Sequence, residues 1–424
     1  MIGNYKRFDM EKPPKRQPFY LKIVIWAICF PIAWLHRSKI DKSKVPKELK
    51  PPYFLLCNHN TFLDFIVMTK AIYPYGANYI VAMDGFLKIE WILRAVGGIC
   101  TRKFSRNLSV VKNMFHARNN GDIIVMFPEA RYSLCGTPAV LPDSLGKIIR
   151  KLDIPVVVLN MHGHHINSPF WHYGKRCYKP VEAEMKLLFS KEDIKNLSVD
   201  EINEKLAKSI VYDDFTWQKQ KGIAVKNRNR AEGLHKILYQ CPACLVEYQM
   251  DSKGHRLYCN ACNKVWKMTT FGELKAINGE TEFPYIPDWY EWERCNVKKE
   301  VEAGTYSFES DVRVESLPNS KGFIKLPGPA TLVHNMEGFK LNGVSNTGPF
   351  EQVWKVPALY SCHIEFNYKG KGEDVVDLNT NNDTLYIYPQ RKDFSVTKIS
   401  LATEELYKDY VRKNRRKDLR NTHS

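Results

Sequence analysis

Two short, continuous apolar runs mark the first third of the chain. Tyr53-Phe54-Leu55-Leu56-Cys57 follows Pro51-Pro52, and Ile123-Ile124-Val125-Met126-Phe127 follows Gly121-Asp122. A short apolar run bounded by turn residues predicts a strand buried on both faces, as in a parallel sheet. After the first run, Asn60 or Thr61 suits a helix N-cap, and Phe62, Leu63, Phe65, Ile66 and Met68 follow at helix-compatible spacing. His59 is thereby placed at the carboxyl end of a strand, and one turn of helix returns Asp64 to its neighbourhood. Ligands of open α/β sheets bind in the crevice outside such strand ends. The pattern predicts an α/β unit with a mostly parallel sheet flanked by helices.

From about Gly304 the texture changes to short alternating runs. Tyr306-Ser307-Phe308-Glu309, Val312-Arg313-Val314-Glu315, residues 330–334, 360–366 and 384–388 are separated by turns such as Pro318-Asn319-Ser320 and Leu341-Asn342-Gly343. A final helix is expected from Thr403, with Leu401, Leu406, Tyr410 and Val411 as apolar positions. Residues 285–424 are therefore expected to form a small β-barrel or sandwich with a C-terminal helix, an architecture like that of a pleckstrin-homology domain.

Near the N-terminus, residues 23–35 form an uncharged stretch of 13 residues containing Trp26, Pro31 and Trp34. A membrane-spanning helix needs ~20 such residues, so residues 1–35 read as a basic segment lying in a membrane interface. Charge supports that reading. Residues 1–50 hold 12 Lys and Arg against 4 Asp and Glu, residues 408–424 hold 7 against 2, and the whole chain carries +17. Each basic side chain near an anionic leaflet contributes about 1 kcal/mol. The chain is expected on the cytoplasmic side, peripheral to the membrane.

Cys241-Pro242-Ala243-Cys244 and Cys259-Asn260-Ala261-Cys262 form two Cys-x-x-Cys knuckles with 14 residues between them. That spacing predicts a four-thiolate structural zinc site, a zinc ribbon over residues 236–270. The other seven of the 11 cysteines are scattered singly, which argues against a disulfide framework. Zinc ribbons often bind nucleic acid, so a basic nucleic-acid-binding protein is a rival reading. Against it, the linker between the knuckles balances Lys253 and Arg256 with Glu247 and Asp251, and no nucleic-acid partner is expected.

Candidate chemistry concentrates in Asn58-His59-Asn60-Thr61-Phe62-Leu63-Asp64 and Phe127-Pro128-Glu129-Ala130-Arg131. The first offers an imidazole base with a carboxylate to orient it; the second offers a Glu and an Arg straight after a strand. In a chain with 12 histidines, His-x-x-x-x-Asp arises by chance in roughly every second sequence, so position carries the inference. His162, His164 and His165 read as a strand-end loop near the site rather than as a metal centre.

These blocks, together with Gly97-Gly98-Ile99-Cys100-Thr101-Arg102 and Ile154-Pro155-Val156-Val157-Val158, resemble in order and spacing the 1-acylglycerol-3-phosphate (lysophosphatidate) acyltransferase superfamily. The resemblance covers residues 36–225. It implies that His59 takes the proton from the acceptor hydroxyl and that Asp64 fixes the ring's tautomer, as in a serine triad without the serine. It also implies that Arg102 and Arg131 bind the acceptor's phosphate as a bidentate fork, with Asn58 and Glu129 as further substrate-binding residues of the acceptor-binding blocks. The implied co-substrate is acyl-CoA or an acyl carrier protein, the implied acceptor a lysophospholipid, and the implied setting a membrane lipid surface. One departure is visible: the family's third block reads Phe-Pro-Glu-Gly-Thr-Arg-Ser, so here Arg131 comes one residue early and Ala130 lacks a glycine's freedom at positive φ. A non-catalytic lipid-binding scaffold that keeps the fold is the other reading left open.

Overall fold

The computed structural model describes residues 5–421 apart from 106 and 173–176, and of residues 415–421 the backbone alone. The basic ends noted above thus fall partly outside the described residues, at 1–4 and 422–424.

The first unit runs through α1 (Phe19–Leu35), β1 (Lys39–Lys44), β2 (Phe54–Cys57), α2 (Leu63–Ile72), β3 (Ala77–Ala82), α3 (Glu90–Ala95), β4 (Gly98–Thr101), α4 (Leu108–Asn119) and β5 (Ile123–Met126). It continues with α5 (Leu145–Leu152), β6 (Val156–His162), the single turn α6 (His164–Asn167), β7 (Glu182–Phe189), α7 (Lys191–Asn196), α8 (Val199–Ser209) and α9 (Asp214–Gln220). Its seven strands form one sheet in the order β1-β7-β6-β2-β5-β3-β4. β6, β2, β5, β3 and β4 are mutually parallel, β7 runs antiparallel to β6, and the edge strand β1 runs parallel to β7. As the unbroken apolar runs predict, β2 is buried along its whole length.

Strand side chains alternate between faces, so the sheet builds two cores. Leu55, Cys57, Val125 and Val157 pack with α1 and α2 on one face, through Cys29, Ala33, Ile66 and Val67. Phe54, Leu56, Ile124 and Val158 pack with α4, α5 and α8 on the other, through Val110, Met114, Ile149 and Leu206. Because the central strands are parallel, their carboxyl ends open at one edge of the sheet. That edge carries His59 after β2, Glu129 after β5, His164 after β6 and Arg102 after β4.

The middle of the chain forms an antiparallel sheet of β8 (Met250–Lys253), β9 (Arg256–Cys259), β10 (Val265–Met268) and β11 (Leu274–Ala276). A helix that the sequence reading did not anticipate follows, α10 (Ile286–Glu302). Its Trp289 packs edge-on against Trp266 of β10 at 4.9 Å.

The last unit contains β12 (Ser307–Ser316), β13 (Ile324–Lys325), β14 (Ala330–Asn335), β15 (Gly338–Ser345), β16 (Gly348–Lys355), β17 (His363–Glu365), β18 (Val375–Asn379), β19 (Thr384–Pro389) and α11 (Val396–Asn421). The strands pair antiparallel in the order β16-β15-β14-β12-β19-β18-β17, with β13 alongside β12. The outer strands β16 and β17 do not pair with each other among the described residues, so this sheet stays open.

The three units share one apolar core that joins Leu134 and Phe215, Trp266 and Leu274, and Leu332 and Leu401. A buried ionic cluster closes the same seam. Arg131 donates to Ser400 Oγ and Glu404 Oε1 of α11, both at 2.6 Å. Arg294 of α10 donates to Glu404 Oε2 at 2.5 Å, and Ser361 Oγ donates to Oε1 at 2.8 Å. Burial alone would raise the Glu404 carboxyl, but the two guanidiniums outweigh it and hold the group at about 2. Removing one partner of such a pair strands charge in a dry interior. Glu404→Gln is therefore expected to destabilise the protein by about 3–5 kcal/mol, read as a shifted urea midpoint.

Candidate active site

The turn between β2 and α2 is wrapped around one carboxylate. Asp64, in the first turn of α2, is fully buried. Its Oδ2 accepts from the Asn60 amide at 2.5 Å, the Thr61 amide at 3.0 Å and His59 Nδ1 at 2.9 Å. Asn60 and Thr61 thus precede the helix as expected: Thr61 Oγ1 accepts from the Leu63 amide at 3.0 Å, and Asp64 reaches back from the helix to the turn's amides. Desolvation pushes the Asp64 carboxyl up, but hydrogen bonds from His164 and His59 outweigh it and hold the group at about 2. A carboxylate on Nδ1 makes that nitrogen the protonated one and leaves Nε2 as the lone-pair nitrogen. The His59 ring is 22% exposed, stacked on Phe127 at 4.1 Å and tilted against Tyr132 at 4.4 Å. The ring is thus held from behind at Nδ1, lies against two aromatic rings and stays partly exposed.

Glu129 and Asn58 stand behind this ring. Glu129 Oε1 accepts from the His59 backbone amide at 3.1 Å, and Oε2 accepts from the Ala139 amide at 2.9 Å and the Tyr212 hydroxyl at 3.0 Å. Buried completely, its carboxyl is raised to about 7 by desolvation. Asn58 exchanges two hydrogen bonds with the Met161 backbone, Nδ2 to O at 2.8 Å and N to Oδ1 at 2.7 Å, which ties the end of β2 to the end of β6. Both residues hold the position of His59, and neither is exposed in the crevice.

The two candidate phosphate ligands lie apart from this group. Arg102 is buried, and its guanidinium donates to Thr384 Oγ1 at 2.8 Å and to the Asn382 carbonyl at 3.1 Å. β5 and β3 separate β2 from β4, so three strand steps put ~14 Å between the ends that carry His59 and Arg102. Arg131 is engaged by Glu404 and Ser400, as described above. The early position of Arg131 has a structural counterpart. Ala130 adopts φ 55°, a left-handed turn that sends Glu129 inward under His59 and the next residue into α11. Tyr132 follows and meets the imidazole.

Sequence reasoning placed the 162–165 loop near the site without giving any of its residues a role. In the structure His164 Nδ1 lies 2.7 Å from Asp64 Oδ1. Asp214, at the start of α9, holds that loop by accepting from the Gly163 amide at 2.9 Å and the His165 amide at 2.7 Å. Lys103, next to Arg102, pairs with Asp84 at 3.1 Å. A cluster of titratable side chains at the end of an apolar strand was the one signal available for His164.

Away from this edge, the four sulfurs of Cys241, Cys244, Cys259 and Cys262 lie within 4.8 Å of one another, with Cys241 to Cys262 at 3.7 Å and Cys244 to Cys259 at 3.8 Å. A disulfide would need ~2.05 Å. A tetrahedral ion with bonds of ~2.3 Å needs sulfurs ~3.8 Å apart, and the four thiols fit a metal ion of that size.

Residues 37–162 match the model of the acyltransferase family. Among solved structures, the chain is similar to the 1-acyl-sn-glycerophosphate acyltransferase PlsC from Thermotoga maritima, at 18% identity and TM-score 0.36, over 45% of this chain and 77% of that one. It is also similar to SsgB of Streptomyces coelicolor, at 13% identity and TM-score 0.14, over 25% of this chain and 86% of that one. No curated protein matches the chain.

The buried Glu129 has a measurable consequence. With its folded carboxyl raised to about 7 from 4.5, the native state binds a proton that the unfolded state has released. That contribution is present at low pH and is lost as pH rises through this window. The slope is on the order of 1.4 kcal/mol per pH unit. Glu129→Gln does not titrate, so the stability difference between it and the wild type is expected to shift in favour of the variant from pH 5 to pH 8, followed by thermal denaturation.

Proposed function

We propose that this chain, whose residues 37–162 form an acyltransferase domain of the 1-acylglycerol-3-phosphate acyltransferase superfamily, moves a fatty acyl group from acyl-CoA or an acyl carrier protein to the hydroxyl of a lysophosphatidate or related glycerophospholipid. The observation that carries this reading is a partly exposed imidazole whose Nδ1 is held by a buried, ionised Asp64. An alcohol attacks a thioester poorly until a base takes its proton. His59 Nε2 accepts that proton as the oxygen bonds to the thioester carbon, Asp64 stabilises the imidazolium that forms, and the proton then passes to the departing thiolate. The acceptor hydroxyl is the nucleophile throughout, so no covalent acyl-enzyme forms.

Asn58 and Glu129 serve this step through the backbone they hold. Arg102 and Arg131 can meet an acceptor phosphate only where the C-terminal unit releases them, since Thr384, Asn382, Ser400 and Glu404 occupy them in this structure. The four-cysteine cluster would hold a zinc ion that braces the middle sheet, with no part in the reaction.

A membrane setting is supported by α1. None of the described helices is long and apolar enough to cross a membrane. Phe19, Ile23, Val24, Ile28 and Trp34 are nevertheless exposed along one side of α1, Trp34 by 76%, while Cys29 and Ala33 face the core. That apolar outer side, with the basic residues around it, suits insertion into an anionic lipid surface better than contact with nucleic acid.

His59→Ala is expected to lower acyl transfer by about 10²–10⁴-fold, measured as free thiol released from acyl-CoA with a lysophospholipid acceptor. Undiminished release would sink the reading. The double variant Ile28→Glu/Trp34→Glu is expected to bind anionic vesicles at least tenfold more weakly than the wild type in a co-sedimentation assay, while binding to single-stranded nucleic acid stays weak in both. Metal analysis should find one zinc per chain, and Cys244→Ser should lose the metal and lower the melting temperature.

A further inference from the structure

We propose that His164, which lies outside the His-x-x-x-x-Asp motif, is a positioning residue for the base: it holds the second oxygen of Asp64 and so keeps the first one on His59. The inference rests on the reading of His59 as the acyl-transfer base.

A carboxylate has two oxygens, and at this site they are served by different parts of the fold. Oδ2 takes His59 Nδ1 and the two amides of its own turn, while Oδ1 takes His164 Nδ1 at 2.7 Å from the far end of β6. The His164 side chain has no exposure, so it touches neither solvent nor substrate. Its Nε2 is buried and has no hydrogen-bond partner among the described residues. A proton on that nitrogen would be stranded in the interior, so the neutral ring with hydrogen on Nδ1 is the form that fits. Two imidazoles thus meet one carboxylate through Nδ1, one at each oxygen.

The support for His164 is built in depth. Asp214 binds the amides on both sides of it, at Gly163 and His165, and Asn58 ties the preceding strand to the turn that carries His59. A side chain needed only to fill space would not require a buried carboxylate to aim it.

Physically, the second donor does two things. It removes the rotational freedom of the carboxylate, so Oδ2 stays in line with His59 Nδ1. It also shares the negative charge of Asp64, so that removing it leaves more of that charge on His59 Nδ1. The other titratable groups facing Asp64 are Cys57 on β2, Tyr132 on the loop after β5, His165 beside His164, and Asp214 on α9. None of them contributes a second donor to the carboxylate.

The test is a pH profile of kcat/KM for thiol release, run on the full chain with anionic vesicles carrying the acceptor. His164→Phe is expected to lower kcat about tenfold or more at pH 7 with KM little changed, and to move the acid limb of the profile toward higher pH by about one unit. His164→Gln, which restores an N–H donor, is expected to recover most of the rate and bring the limb back. A folded His164→Phe protein with an unmoved acid limb would overturn the proposal, even if its melting temperature fell, because a merely structural histidine gives that result. Should His164→Phe fail to fold, histidine nitrogen resonances of the wild type decide: hydrogen on Nδ1 of His164 supports the proposal, and hydrogen on Nε2 alone overturns it. His59→Ala in the same assay separates the two readings. If it stays active the base assignment fails, whereas if it is inactive and the His164→Phe limb is unmoved, only the role of His164 fails.

Discussion

A fully buried carboxylate must either be neutral or be surrounded by donors, and much of the first unit is arranged around that demand at Asp64. Ionised, it requires hydrogen bonds to both oxygens, because an unmet lone pair in a dry interior costs about 1–3 kcal/mol or more. One oxygen organises the turn between β2 and α2, and the other reaches across to the end of β6. Parallel strands make this possible: β2 and β6 are neighbours in register, so their carboxyl ends finish side by side. The loop conformation and the tautomer of His59 thus follow from one charge, placed where the sheet topology brings two strand ends together.

The adjoining strand end ties that chemistry to the rest of the chain. Within three residues, Glu129 supports the His59 backbone, Ala130 turns through positive φ, and Arg131 joins α10 and α11 through Glu404. A left-handed alanine is a strained conformation that persists when its surroundings over-determine it. Here they do so from both sides, with a buried carboxylate before it and a buried ion pair after it. The sheet edge that carries His59 and the interdomain seam are consequently a single piece of structure.

How much of this could be read from the sequence depends on the range of the interaction. β2 and β5 were legible because both faces are buried, leaving unbroken apolar runs, and the His59–Asp64 pair was legible because one helical turn separates them. The four cysteines were legible because metal geometry imposes a spacing. α10 carries Ile286, Trp289, Tyr290, Val297 and Val301 at helical intervals, but Glu293 falls on the same buried face and blurs the stripe. β15 and β16 were harder still: β16 exposes four of its eight residues, and Leu341-Asn342-Gly343, expected as a turn from its Asn-Gly pair, lies inside β15. The fates of Arg102, Arg131 and His164 could not be read at all. Their partners lie 282, 273 and 100 residues away, and no local pattern encodes a contact across that distance.

The packing of α1 sets the height of the chemistry. Trp26 and Phe30 of α1 lie edge-on against Tyr73 at the end of α2, at 4.9 and 5.4 Å, and α2 carries Asp64 in its first turn. On the membrane reading proposed above, this joint makes the helix pair a depth gauge: lipid that holds the outer side of α1 sets the distance of His59 from the acyl chains through vertical placement, with no change in any residue of the site.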